Sequence, residues 1–219
     1  VSKPGQGASE LDADKAQALA LTPVSRETQQ RLEIYVDLLL KWQQTTNLIA
    51  PSTIPHIWTR HVADSLQFVE LVSDATTWVD LGSGGGFPAI PVACVLAGKP
   101  GALVHLVESN GKKAAFLREA IRATGVPAQV HAERIEKFVA GTVNSVDVVS
   151  ARALAPLKTL CDQAFPLIER GAIGLFAKGL DVEAELTEAS KYWKIEMQTV
   201  PSKTSRDGCI VVVRHLTAR

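Results

Sequence analysis

The chain has 219 residues, of which 46% are apolar and 21% charged, with 23 basic side chains balanced by 23 acidic ones. A chain of this size and composition can bury a full core without disulfides or metals to staple it. Zero net charge excludes a uniformly basic nucleic-acid coat, so any polyanion has to be met by a local patch. Cys94, Cys161 and Cys209 are widely spaced and form no C-x-x-C pair, which argues against a disulfide framework or zinc knuckle and for a reducing compartment. The longest apolar stretch, residues 87–98, is interrupted by Pro88 and Pro91 and is too short to span a bilayer. Residues 1–20 carry Lys3, Asp12, Asp14 and Lys15 and lack the apolar run of a secretory signal. The expectation is a cytoplasmic monomer with no membrane partner.

Residues 1–24 are small and polar and read as a flexible tail, with a helical turn near its end. From Ser25, a plausible N-cap, Leu32, Tyr35, Val36, Leu39 and Trp42 recur at helical spacing. Ile54, Ile57, Trp58, Val62, Leu66 and Val69 mark a second helical face. Residues 25–75 therefore read as an N-terminal helical cap, and 76–219 as the main domain. There the pattern becomes strand–helix alternation: strands at 78–82, 103–108, 128–132, 146–151 and 172–178, with helices after each. Gly125 stands where the second of these helices should be C-capped. Segments 194–200 and 209–215 are strand-like, and no crossover helix fits between them, so they should pair antiparallel. The implied fold is α/β, a seven-stranded, mostly parallel sheet covered on both faces with one antiparallel strand inserted at the end. Such sheets bind ligands at the carboxyl ends of their strands, near the topological switch point.

The first strand runs into Asp80-Leu-Gly82-Ser-Gly84-Gly-Gly86-Phe87-Pro88. Alternate glycines between strand and helix allow a tight turn and let backbone approach a ligand. The second strand ends at Glu108, twenty-two residues beyond Gly86, where a carboxylate can accept both hydroxyls of a ribose. Together these specify an adenosine-containing ligand. A dinucleotide fingerprint is tolerated if Ala89 closes it, but the chain has no second domain for a dehydrogenase substrate. A closing antiparallel hairpin suits an S-adenosylmethionine (SAM) methyltransferase instead, a class I Rossmann-like fold.

The runs DLGSGGGFPAIPVA, VESNGKKAAFLREA, VVSARALAPL and LFAKG, with WQQTTNLIA and IWTRHVADSL upstream, resemble the RsmG (GidB) family of bacterial 16S rRNA guanine-N7 methyltransferases. The resemblance spans roughly residues 30–215, and ESNGKKAAFLRE and SARALAPL are its most specific parts. It implies SAM as cofactor and S-adenosylhomocysteine as product. The implied substrate is guanine 527 in the 530 loop of 16S rRNA in the 30S subunit. It also implies cofactor contacts from Gly82, Gly84 and Phe87 in the loop, Glu108 after the second strand, Ile135 and Glu136 after the third, and Arg152 after the fourth, facing the methyl-transfer site. Two departures stand out: Ala89 replaces a common glycine, and Gln43, Gln44, Thr45 and Thr46 are uncharged where relatives often carry a basic residue. An enzyme on the same scaffold acting on a different RNA, a protein or a small molecule is the alternative. A nucleotide-binding dehydrogenase or a non-catalytic sensor is a third class.

Guanine N7 is an aromatic lone pair with no proton to lose, so this chemistry calls for no catalytic acid or base and for no metal. His61 and Asp64, three apart on one helix face, read as a polar contact within the cap. A-form RNA hides N7 in a deep, narrow groove, so the target should lie in a loop or be turned out of the stack. Candidate phosphate contacts are Arg60, Lys112, Lys113, Arg118, Arg122, Lys203, Arg206 and Arg214. Residues 108–158 hold eight Lys/Arg against five Asp/Glu, and 200–219 hold four against one. The neutral chain is thereby expected to carry a basic face around the cofactor mouth. The acidic run 181–188 should be solvated and point away from RNA, and at least three of Trp42, Trp58, Trp78 and Trp193 should be core.

Overall fold

The computed structural model describes residues 6–141 and 146–219. Seven strands form one sheet: β1 (Thr77–Leu81), β2 (Leu103–Val107), β3 (Ala128–His131), β4 (Val148–Arg152), β5 (Ile173–Lys178), β6 (Trp193–Pro201) and β7 (Cys209–Ala218). Their order is β3-β2-β1-β4-β5-β7-β6. β1 to β5 pair parallel, and β7 runs antiparallel to both β5 and β6. The inserted antiparallel strand is therefore β7. The order reverses beside β1, so the switch point lies between the carboxyl ends of β1 and β4.

Strand periodicity divides the interior into two cores. Trp78, Val104, Leu106, Val148, Leu175 and Val212 face one side, where they join the cap. Val79, Leu81, Val107, Val149, Phe176 and Val211 face the other. The first core is closed by α2 (Arg26–Gln43), α3 (Asp64–Leu71), α4 (Ala89–Leu96) and α5 (Gly111–Thr124), and the second by α6 (Ile135–Ala140), α7 (Leu157–Ile168) and α8 (Val182–Ala189). Ser25 caps α2 by accepting from Thr28 N, and Gly125 ends α5 in the left-handed region. Trp58 and Trp78 are buried, while Trp42 and Trp193 pack against the cores at their edges.

The N-terminal region differs from the sequence reading. The helical turn expected near the end of a tail is a helix of sixteen residues, α1 (Gln6–Leu21). Ala18 enters the first core, and Asp14 Oδ2 accepts from the amides of Trp58 (2.8 Å) and Thr59 (3.3 Å). Its alanine-rich sequence has no clear amphipathic stripe, and a long-range capping contact anchors it. The second expected helix is broken as well: a 3₁₀ turn (Pro51–His56), a π-helical turn (Trp58–Ala63) and then α3. Pro55 removes an amide donor within the first turn, and Asp14 serves the amides that open the second.

Candidate functional site

The glycine loop leaves β1 at its carboxyl end. Gly84 lies at φ +54°, and a Cβ there would meet only the Gly82 carbonyl, at 3.7 Å; Gly86 at φ +93° has no such room, since a Cβ would come within 2.9 Å of Tyr35 Oη. Gly86 is thus required by packing and Gly84 by conformation, with open space on its ligand-facing side. The cap holds the loop from behind, where the buried Tyr35 hydroxyl donates to the Gly85 carbonyl.

Glu108 links this loop to the next unit. Its Oε2 accepts from Gly84 N at 2.9 Å and its Oε1 from Asn110 N at 2.7 Å, while Asn110 Oδ1 caps α5 through the amides of Lys112 and Lys113. Each carboxylate oxygen keeps a further lone pair for a hydroxyl. Opposite stands a wall from the cap, built by Gln43. Its Oε1 accepts from Leu48 N (2.9 Å) and Ile49 N (3.0 Å), and its Nε2 donates to Ile49 O (2.9 Å). The uncharged residue at this position shapes backbone.

Arg152 closes the site at the end of β4. Its Nε donates to Asp64 Oδ2 (2.9 Å), Nη1 to His61 Nδ1 (2.8 Å) and Nη2 to the Arg60 carbonyl (2.7 Å). Guanidinium only donates, so His61 Nδ1 presents its lone pair and the ring proton sits on Nε2, which donates to Thr53 Oγ1 at 2.8 Å. Burial, reinforced by the Arg152 and Arg60 cations, lowers the His61 pKa to about 3. The imidazole is therefore neutral with both nitrogens occupied. His61 and Asp64 are indeed cap residues in a polar contact, but the contact crosses to β4 and orients the arginine.

The seven residues singled out from the sequence, Gly82, Gly84, Phe87, Glu108, Ile135, Glu136 and Arg152, all line one cleft of about 580 Å³. The structure adds residues that lie within the quoted runs but were not singled out there: Leu48, Ile49 and Ala50 of the cap wall, Ser109, and Ala153 beside Arg152. Ala153 has φ +51°, alone among the described non-glycine residues in being left-handed. His61 lines the cleft beside Arg152, and Tyr35, Gln43 and Asp64 act behind the lining. His61 and Asp64 drew notice in the sequence through their spacing and Gln43 as an uncharged departure from the family pattern, while Tyr35 was legible merely as a helix residue.

The expected basic face is smaller than the sequence list. Arg60 and Lys113 line clefts at the carboxyl end of the sheet, Lys112 sits in the first turn of α5, and Lys203 and Arg206 lie between β6 and β7. Arg122 ends α5 at the opposite edge. Arg214 follows Val213, whose partner Gly174 opens β5, so it too lies at the far end. The acidic helix α8 is mostly solvated as expected, yet Glu185 turns inward to pair with Lys178 at 2.6 Å and to accept from Leu157 N.

A family model described as rRNA small subunit methyltransferase G matches residues 28–212. A Ribosomal RNA small subunit methyltransferase G from Bradyrhizobium sp. (strain BTAi1) is 63% identical over 203 residues, covering 93% of this chain and 91% of its own length. One from Nitrobacter hamburgensis is 54% identical over 220 residues, covering 100% of this chain and 85% of its own. Among solved structures, an O-methyltransferase from Bacillus cereus in complex with S-adenosylhomocysteine (SAH) superposes with TM-score 0.58 at 13% identity, over 94% of this chain and 99% of that one. Fibrillarin from Aeropyrum pernix with bound SAM gives 0.51 at 16% identity, over 64% and 66%. At these identities the structural likeness speaks for the fold, a class I methyltransferase fold.

Proposed function

Because the chain belongs to the rRNA small subunit methyltransferase G family, we propose that it transfers a methyl group from SAM to N7 of a guanine in 16S rRNA. The cleft suits the cofactor. A backbone cradle with free space at Gly84, a carboxylate at Glu108 with spare lone pairs, and apolar walls from Leu48, Ile49 and Ile135 match an adenosine with a polar amino-acid tail. Gly82, Gly84 and Phe87 would border the methionine end, Glu108 the ribose, and Ile135 and Glu136 the adenine. When bound, SAM supplies an electrophilic methyl on a sulfonium.

The observation that carries the choice of N7 is the state of the groups around Arg152. A nucleophile with a proton to lose needs a base, and the imidazole beside the arginine has its one lone pair taken by Nη1. Asp64 is committed to Arg152 through Oδ2 and to Thr204 through Oδ1. Guanine N7 needs no base, so these residues serve to place the base and to hold the cation still. Alignment of reactants in this manner supplies about 7–11 kcal/mol in favourable intramolecular cases, and fixed dipoles add to it. Arg152 is poorly suited to sit against a ring becoming positive. It is well suited to orient guanine O6 or a phosphate.

The test is incubation with methyl-labelled SAM and either 30S subunits or free 16S rRNA lacking the modification, followed by borohydride–aniline scission to locate 7-methylguanine. Label at one guanine is expected, in a loop accessible to protein. If neither substrate takes label while the protein binds SAM, the rRNA reading fails.

A further inference from the structure

Beyond Arg152 lies a second cleft, of about 240 Å³, which shares Arg152 and Ala153 with the first. The shared wall is where the backbone is strained, at the left-handed Ala153; such strain persists where surrounding structure over-determines it, often at functional sites. The lining carries polar groups, the hydroxyls of Ser202, Thr204 and Ser205 with Arg60 and Lys178, beside apolar Ala153, Ala177 and Ile210. Lys178 is committed to Glu185 and the Ala155 carbonyl. The Arg60 guanidinium is exposed and has no partner among the described residues.

One carboxylate organises these walls. Asp64 Oδ2 receives Arg152 Nε at 2.9 Å, while its Oδ1 receives Thr204 Oγ1 at 2.9 Å and Ser202 Oγ at 3.3 Å. The same face of α3 continues the attachment at three-residue steps. Gln67 Oε1 accepts from Lys203 N at 2.6 Å, and Glu70 pairs with Lys203 Nζ. The β6–β7 connection and the end of β4 are thus fastened to one helix of the cap, across 138 and 88 residues of sequence.

We propose that the second cleft seats the guanosine to be methylated, and that Asp64 is the positioning residue that sets its walls, holding Arg152 with one oxygen and the β6–β7 loop with the other. This rests on the rRNA methyl-transfer reading above. The cleft is smaller than a pocket for a drug-sized ligand, which suits one extruded nucleotide and excludes a duplex. Three of the five guanidinium N–H groups of Arg152 are used within the protein, leaving two for an acceptor such as guanine O6. Arg60 supplies the cation for an adjoining phosphate.

The experiment uses the full chain, 30S subunits lacking the modification, and three readouts: SAH affinity by calorimetry, kcat and KM for the subunit, and cross-linking of RNA carrying 6-thioguanosine at the methylated position. Asp64→Asn should lower kcat/KM for the RNA about 30-fold, in line with the loss of a charge-assisted hydrogen bond, with SAH affinity within about twofold of wild type. The double variant Ser202→Ala/Thr204→Val keeps the Arg152–Asp64 pair and should raise KM for the subunit about tenfold, with kcat little changed. Asp64→Glu should recover part of the loss. The cross-link should fall within residues 202–209. Either of two results overturns the assignment: an Asp64→Asn variant whose SAH affinity falls as far as its methyl transfer, or a cross-link confined to other segments. If wild-type protein labels no rRNA at all, the reading of function falls and takes this one with it; if wild type labels rRNA and the variants do so equally well, the cleft assignment alone falls.

Discussion

Asp80 closes β1 in the fully buried interior, and its ionisation should be written into the stability of the whole protein. Its Oδ1 accepts from Ser150 Oγ at 2.7 Å, and Ser150 in turn accepts from Trp78 Nε1 at 2.9 Å. Oδ2 has no partner. Burial raises the pKa from 3.8 to about 7, against the opposing pull of Ser150 and Ser83. Between those values the native state holds a proton that the unfolded chain has released, so unfolding free energy falls as pH rises through this window. At about 1.4 kcal/mol per pH unit, the interval comes to about 4 kcal/mol of destabilisation fully present above pH 7. Asp80→Asn keeps an oxygen for Ser150 and removes the titration. The stability advantage of the variant over wild type should therefore grow by about 4 kcal/mol between pH 4 and pH 7.5. Urea unfolding of both proteins at four pH values across that range gives the difference directly. His61 contributes the opposite slope, since its folded pKa of about 3 lies below its ordinary 6.5 and stability is lost as pH falls through that interval. That slope is common to both proteins and cancels in the comparison. A gap that stays constant with pH would refute the reasoning.

Further outcomes follow from single contacts. Gly84→Asp forces a side chain at φ +54° and sets a second carboxylate beside the one that accepts from Gly84 N. Calorimetry should find no SAM binding, and wild-type affinity would contradict the assignment of the loop. Asp14→Ala leaves the amides of Trp58 and Thr59 without their acceptor, which should cost about 2–3 kcal/mol and appear as a lower melting temperature. An unchanged melt would mean that α1 docks by apolar contact alone. Affinity for rRNA should fall linearly on a logarithmic salt scale as displaced counterions are counted; affinity indifferent to salt would point to a partner surface other than the phosphate backbone.

The main chain of the sheet and the candidate cleft were legible because their signals are local. Strand-ending glycines, Glu108 at its distance from Gly86 and Gly125 at a helix end each announce themselves within a few residues, and the seven residues that the family resemblance implied meet in one cleft. What was hidden depends on pairs distant in the chain. Nothing beside Asp64 in the sequence names Arg152 as its partner 88 residues away. Nothing in the small, polar start of the chain tells that Asp14 will cap a turn at Trp58. Gln43 read as a missing positive charge because its neighbours in sequence gave no hint that both ends of its amide fold the cap wall. Candidates such as Arg122 and Arg214 lie away from the cleft for the converse reason, since a count of charge carries no information about which end of a sheet holds it.

The contact between Tyr35 and the Gly85 carbonyl has a consequence for the order in which this protein comes into being. Synthesis delivers the buttress of the glycine loop before the loop itself, so the α/β portion is never without its brace once the chain is whole. The same contact makes the cap and the glycine loop answer to each other. If the glycine loop holds the cofactor as proposed, whatever loosens α2 from its seat weakens cofactor binding by the same free energy that the cofactor returns in holding α2 down. A substitution in the N-terminal helices can therefore present itself in an assay as a cofactor defect, though it touches nothing in the cleft.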